Sequence, residues 1–331
     1  MTNSRAGILS LLHGDKGSSP PAFSGLIQVT GEGLQNDGLS LQDVHHDAKK
    51  MAKAAAGTYK LTGMPSATLP LDLCLPAEML GAELNYEGEG FPQVRRAVVE
   101  SAKNAATENL RRGRIETGRL ETVCEAIRLV REDVGREVVI SGMIPGPYTL
   151  LLYLCNPKNL FIEMKKEPQV VSDALFHLST FLAKIGRAYR DAGADYITIH
   201  DMGGSPGFIG PSKYEQFVFP AEKMLIENLP KPRVLSVCGN VSRSLALLNQ
   251  TGAEAVSVDQ TVDLDAARAG LTDTMLFGNL DPVAVLWRGD QAGVAEAGLG
   301  AKEAGVDAVW PGCDLVPQTR VENIKAMIGA V

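Results

Sequence analysis

The sequence predicts an α/β fold, a single-domain (β/α)8 barrel of the TIM type, and three observations carry that prediction. Eight short apolar runs alternate with amphipathic stretches along the 331 residues. The runs are apolar on both faces, as strands of a parallel sheet covered by helices must be. Three helix ends share one glycine stop: Ala192-Gly193-Ala194-Asp195, Thr251-Gly252-Ala253-Glu254 and Ala304-Gly305-Val306-Asp307 each precede an apolar run. Glycine there suits the left-handed residue that closes a helix. Eight strand–helix units in one chain favour a closed barrel over a doubly wound sheet. The chain also has no Gly-x-Gly-x-x-Gly after a strand and no Walker loop, which speaks against a nucleotide-binding fold.

In chain order, residues 1–20 read as a flexible N-terminal segment and 21–331 as the barrel. The expected strands are Ala22 to Ile27, Ala67 to Leu73, Glu137 to Gly142, Tyr196 to His200, Arg233 to Cys238, Ala255 to Val258, Thr274 to Gly278 and Ala308 to Trp310. Val44 to Thr62 carries apolar residues at helical spacing and stops before Gly63. Glu167 to Ala192 does the same, with Pro168 in its first turn and Gly193 after its end. Residues 13–21 and the glycine-rich stretch Asn85 to Pro92 are loops, either substrate-side elements or plain solvent loops.

Composition narrows the function. A formal net charge of -7 and an aromatic content of 5% provide no basic face and no aromatic–cationic interleaving for nucleic acid. The apolar stretch Ile8 to Leu12 is too short for a signal sequence. No apolar run approaches the roughly 18 residues of a membrane span. The odd, scattered cysteines 74, 124, 155, 238 and 313 read as free thiols of a cytoplasmic protein.

Catalytic groups of such a barrel come from the C-terminal ends of strands. The polar candidates there are Asp72, Ser141, His200, Asp201, Asn240, Asp259, Gln260 and Asn279, together with Cys238 and Cys313, Asp281 and Asp314. Cys238 and Cys313 end the fifth and eighth expected strands and converge in a closed barrel. Two thiolates with a nearby histidine or carboxylate suit zinc; two buried packing cysteines are the alternative. His200 is the one histidine at a strand end, and with Asp201 it is a candidate acid–base group or metal ligand, or a structural hydrogen-bonding pair. His45 and His46 begin a helix and His177 lies within one, where exposed structural roles are expected.

Several blocks resemble the superfamily of uroporphyrinogen decarboxylase and the corrinoid-dependent methyltransferases. They are Gly142 to Thr149 (GMIPGPYT), Gly210 to Phe217 (GPSKYEQF), Cys238-Gly239-Asn240, Gly278 to Pro282 (GNLDP) and Pro311-Gly312-Cys313. The following Pro317 to Met327 (PQTRVENIKAM) is similar to the methylcobamide:coenzyme M methyltransferase branch. The likeness spans nearly the whole chain. The decarboxylase branch implies an arginine-rich motif near the first strand, to grip porphyrinogen carboxylates. Pro21 to Thr30 contains no arginine. The methyltransferase branch implies zinc on a His-x-Cys pair after the fifth strand and a second cysteine after the eighth. Cys238 and Cys313 match, whereas Ser236 stands at the histidine position.

The resemblance therefore implies methyl transfer from a methylated corrinoid, presented by a corrinoid-binding partner protein, to a small acceptor in the barrel mouth. The acceptor is a coenzyme M-like thiol or a reduced pterin such as tetrahydrofolate. Zinc would activate a thiol, with His200 or Asp259 replacing the missing ligand beside Cys238 and Cys313. With a pterin, Asp72, His200 and Asp201 would manage protons. With either acceptor, Ser141, Asn240, Asp259, Gln260 and Asn279 are the expected substrate-binding residues. The alternatives are a decarboxylase and a non-catalytic barrel that binds a corrinoid partner.

Overall fold

Short β-rich runs become strands wherever a helix can cover their outer face. In the computed structural model, which describes residues 4–87, 90–105 and 118–331, the strands are β1 (Ser66–Leu69), β2 (Leu84–Asn85), β3 (Gln93–Val94), β4 (Val139–Pro145), β5 (Tyr196–Asp201), β6 (Arg233–Val237), β7 (Ala255–Val258), β8 (Met275–Leu280) and β9 (Ala308–Pro311). Seven of them form a parallel sheet in the order β1-β4-β5-β6-β7-β8-β9, curled into an α/β barrel within a single domain. The other two make a small antiparallel hairpin above the mouth.

The expected first strand closes the ring without forming a ladder of its own. Ala22 makes a single parallel bridge to Val309 of β9, and the Ser24 backbone N–H donates to Ser66 Oγ at the start of β1, 3.0 Å away. The reason is local. Ser24 Oγ accepts from Leu26 N at 3.0 Å, turning the backbone out of register. Gly25 then enters the lumen, where a Cβ would lie 2.3 Å from Thr198 Oγ1 and 2.7 Å from the Trp310 ring. The second expected strand ends at Leu69 rather than Leu73, because Pro70 has no N–H to continue the ladder. The third runs on to Pro145, so Ser141 lies inside the strand rather than at its end.

Alternation along the strands sorts most of the core into an outer and an inner cluster, with Ile27, Leu73 and Met143 forming a small third. Ile140, Ile197, Ile199, Leu235, Val256, Leu276 and Val309 face outward against the helices. Val139, Tyr196, Val234, Ala255, Met275, Phe277, Ala308 and Trp310 fill the lumen with Phe23 and Leu26. The N-terminal segment, expected to be a flexible lead, is instead the helix Arg5–Leu12. Its Ile8, Leu11 and Leu12 are buried in that same inner cluster. Each such side chain contributes about 1.5–3 kcal/mol by leaving water, which is ample reason for the segment to dock. The helix Ala48–Thr62 begins later than its periodicity suggests, because Asp47 Oδ1 caps it through Lys49 N at 2.9 Å and Lys50 N at 3.0 Å. His45 therefore falls in the preceding turn and is buried, not exposed. The helix Pro168–Ala192 stops at Gly193, whose φ of 115° is the left-handed geometry expected there. Among the described residues no helix is long and apolar enough to cross a membrane.

Candidate metal centre

β5 ends in His200 and Asp201, and neighbours on a strand point to opposite faces. His200 turns into the lumen and is fully buried. Ser236 of β6 is its register partner, and Cys238 follows two residues later on the same face. Cys313 arrives just after β9. His200 Nε2 lies 3.9 Å from Cys238 Sγ and 3.8 Å from Cys313 Sγ, and the two sulfurs are 3.0 Å apart. The three donor atoms all lie within 4.8 Å of one another, a His/Cys/Cys set able to hold a metal ion.

The set fits tetrahedral zinc. Bonds of about 2.3 Å to sulfur and 2.0–2.1 Å to nitrogen place sulfur and nitrogen about 3.6 Å apart and two sulfurs about 3.8 Å apart. The nitrogen–sulfur distances already match, and the sulfurs need part by less than about 1 Å. Two thiols and an imidazole are also the donors a borderline-soft cation prefers.

Electrostatics at the centre follow from crowding. Cys238 and Cys313 share a hydrogen bond, which lowers the Cys313 thiol below its ordinary range against the opposing effect of burial, with His200 helping. The same hydrogen bond and burial push Cys238 far upward, so the pair gives up one proton readily and the second with difficulty. Burial alone would push the His200 imidazole down. The Asp314 carboxylate, with Oδ2 3.4 Å from Nε2, and the neighbouring Cys313 outweigh it and hold the imidazole well above its ordinary range.

Asp314, named by sequence reasoning at a strand end but given no role, is the charged neighbour of this cluster. Its Oδ1 accepts from Ile27 N at 2.8 Å. It also lines a cavity of about 570 Å³, together with Ile27, Asp72, Cys74, Phe91 and Tyr153. Through Asp314 the cavity abuts His200 and the two thiols. Met202 lines this cavity and, with Phe208, a smaller neighbouring one; the two are 39% and 63% exposed, an apolar lip after β5.

The other expected site residues are placed differently. Asp201 faces the helix layer, where it accepts from Thr149 Oγ1 at 2.6 Å and Gly204 N at 2.7 Å. Gly146 makes room for it, since a Cβ there would lie 2.3 Å from Asp201 Cγ. Burial raises Asp201, and burial with the Asp201 charge raises the adjacent Glu222 well above the carboxylate range. Asp201 thus cannot share a substrate with His200. Asp72 lines the cavity but is tied down by Arg119 Nη2 at 2.9 Å, His45 Nδ1 at 3.2 Å and the backbone N–H of Cys74 at 2.8 Å. Burial would raise its pKa; Arg119 and His45 overcome this and hold it well below the usual range, leaving a fixed charge and not a proton carrier.

Ser141 is buried in the lumen, hydrogen-bonded to Gly25 O at 3.2 Å and paired with Thr198 Oγ1 at 2.8 Å. Asn240, Asp259 and Asn279 brace loops: Asn240 donates to Thr261 O, Asp259 Oδ1 accepts from Thr261 N, and Asn279 donates to Asp259 O and Val262 O. Gln260 is exposed and packs against Gly312. None of these five lines the cavity beside Asp314.

The profile of the uroporphyrinogen decarboxylase (URO-D) family matches residues 4–331. The chain belongs to this family. Within it, the chain is 31% identical over 312 residues to a methylcobamide:CoM methyltransferase of Methanosarcina acetivorans, covering 93% of this chain and 91% of the relative. It is 26% identical to a methylated-thiol–coenzyme M methyltransferase of Methanosarcina mazei, covering 100% of this chain and 89% of the relative. A solved methyltransferase structure from Methanosarcina mazei superposes with a TM-score of 0.92 at 27% identity, covering 98% of this chain and 96% of that one. The fold and the recognition of the methyltransferase branch thus stand as the sequence predicts.

Proposed function

We propose that this protein is a corrinoid-dependent methyltransferase that moves a methyl group from a methylated corrinoid protein to a thiol acceptor bound at His200, Cys238 and Cys313. The carrying observation is the convergence of these three donors beside a cavity in the barrel mouth. The names of its methyltransferase relatives support the same reading.

Zinc at this centre would supply Lewis acidity that keeps an acceptor thiol ionised near neutral pH. His200, Cys238 and Cys313 would hold it at three positions, and the adjoining cavity would give the acceptor its approach. Ile27, Phe91 and Tyr153 exclude water from the reacting sulfur. The apolar lip of Met202 and Phe208 offers the corrinoid partner a docking edge. In the transfer, a sulfur–carbon bond forms and the cobalt–carbon bond breaks. Its electron pair stays on cobalt, and the thiol proton passes to solvent. A thiol is preferred to a reduced pterin because the donor set suits sulfur activation, while Asp72 and Asp201 are committed elsewhere.

The test incubates zinc-supplemented protein with methylcobalamin and 2-mercaptoethanesulfonate, then with tetrahydrofolate. The expected result is zinc-dependent loss of the methylcobalamin spectrum with the thiol only. Methylation of the pterin alone, or conversion of uroporphyrinogen to coproporphyrinogen, would contradict the reading.

A further inference from the structure

Below the three donor atoms, the lumen of the barrel is lined by hydroxyl groups. His200, Ser236 and Ser257 are consecutive register partners on β5, β6 and β7, and alternation turns all three into the lumen. Ser236 and Ser257 are 1% and 0% exposed. Neither hydroxyl has a hydrogen-bond partner among the described residues, and neither has the Nδ1 atom of the fully buried His200. Three polar atoms on adjacent strands are thus unpaired in one small region, while other buried hydroxyls nearby, those of Ser141 and Thr198, are paired.

Buried polar groups are rarely left unpaired, and a water that satisfies them typically makes about three hydrogen bonds. Register partners on parallel strands lie about 4.8 Å apart, beyond a direct bond between short side chains and within the span of one bridging molecule. A metal-ligating imidazole, in turn, needs its second nitrogen held by an acceptor if the ring is to keep one tautomer and one orientation.

Resting on the metal-site reading above, we propose that Ser236 is a positioning residue. Together with Ser257 it holds a buried water that accepts the proton of His200 Nδ1, and so aims the Nε2 lone pair at the metal position between Cys238 and Cys313. No bond in the methyl transfer passes through it. The serine that stands where the resembling branch carries a histidine would thereby support the imidazole presented by the neighbouring strand.

The test measures zinc affinity by competition with a chromophoric chelator, together with the visible spectrum of the cobalt(II)-substituted protein. It uses wild type, Ser236→Ala, Ser236→Thr, Ser257→Ala and His200→Ala. Ser236→Ala is expected to weaken zinc binding about 10- to 100-fold and to shift the cobalt spectrum, without lowering the melting temperature of the metal-free protein. Ser236→Thr, which keeps the hydroxyl, is expected to restore affinity, and Ser257→Ala to show a smaller loss. Wild-type affinity and an unchanged spectrum in Ser236→Ala would overturn the inference while leaving the metal site intact. Wild-type affinity in His200→Ala, or no zinc in wild type, would overturn the metal-site reading and this inference with it.

Discussion

The two ends of the barrel are built from the same strands on opposite plans. At the closed end, Phe23, Tyr196, Phe277 and Trp310 pack edge to face, with ring centroids 5.1–6.4 Å apart from Phe23, and the helix Arg5–Leu12 seals the floor. At the open end the inward positions become Ser, His and Cys, small or polar groups whose donor atoms converge. The same alternation that fills the floor with large apolar groups presents reactive ones at the mouth. Stability and chemistry are therefore separated along each strand within a few residues. Losses at one end should therefore be readable apart from losses at the other.

The largest expected effect is at the mouth. Cys238→Ala should take zinc content from about one per chain to near zero and abolish methyl transfer to the thiol, while the melting temperature of the metal-free protein stays close to wild type. Elemental analysis and calorimetry check this together. A variant that keeps its zinc would show that the two ends had been assigned wrongly.

A smaller effect, of a different kind, belongs to the floor. Trp310→Ala should destabilise the fold by about 3–5 kcal/mol, because it empties a fully buried aromatic site. Chemical denaturation reads the loss, and zinc content per folded molecule should be retained. Loss of zinc without loss of stability would erase the distinction between the ends.

The smallest effect lies outside the lumen, where Tyr214 donates to Glu222 at 2.6 Å and Asp201 stands alongside. Burial, then the Asp201 charge, raises the folded-state pKa of Glu222 well above its unfolded value. The stability this gives is fully present below the ordinary carboxylate range and is lost as pH rises through the folded value. Wild type should therefore lose stability on going alkaline. Glu222→Gln should flatten that loss, on the order of 1 kcal/mol, in melting curves taken across pH. An identical slope in the variant would mean that the carboxyl is already ionised in the fold.

Much of this architecture is legible in the sequence because each strand is a short apolar run closed by a recognisable turn. The glycine stops at 193, 252 and 305 all have the positive φ that their position requires. The convergence of Cys238 and Cys313 follows from strand ends alone. What fails to show is tertiary. The first strand is undone by one hydroxyl, Ser24, and by Gly25 entering the lumen. His45 is buried because Asp72 and Tyr86 meet it from elsewhere in the chain. The opposite facing of His200 and Asp201 is readable from strand alternation, which separates the two side chains. Asp314 carries no spacing signal, since its role depends on the imidazole that another strand brings to it.

On the metal-site reading, β5 supplies the nitrogen ligand through His200, and Ser236 of β6 gives none. X-ray absorption at the zinc edge, on wild type and His200→Ala, tests it most directly. Wild type is expected to show about two sulfur neighbours at roughly 2.3 Å and an imidazole nitrogen at roughly 2.0–2.1 Å, with the imidazole signal lost in the variant. Protein without zinc after supplementation, or an imidazole signal that survives His200→Ala, would contradict it.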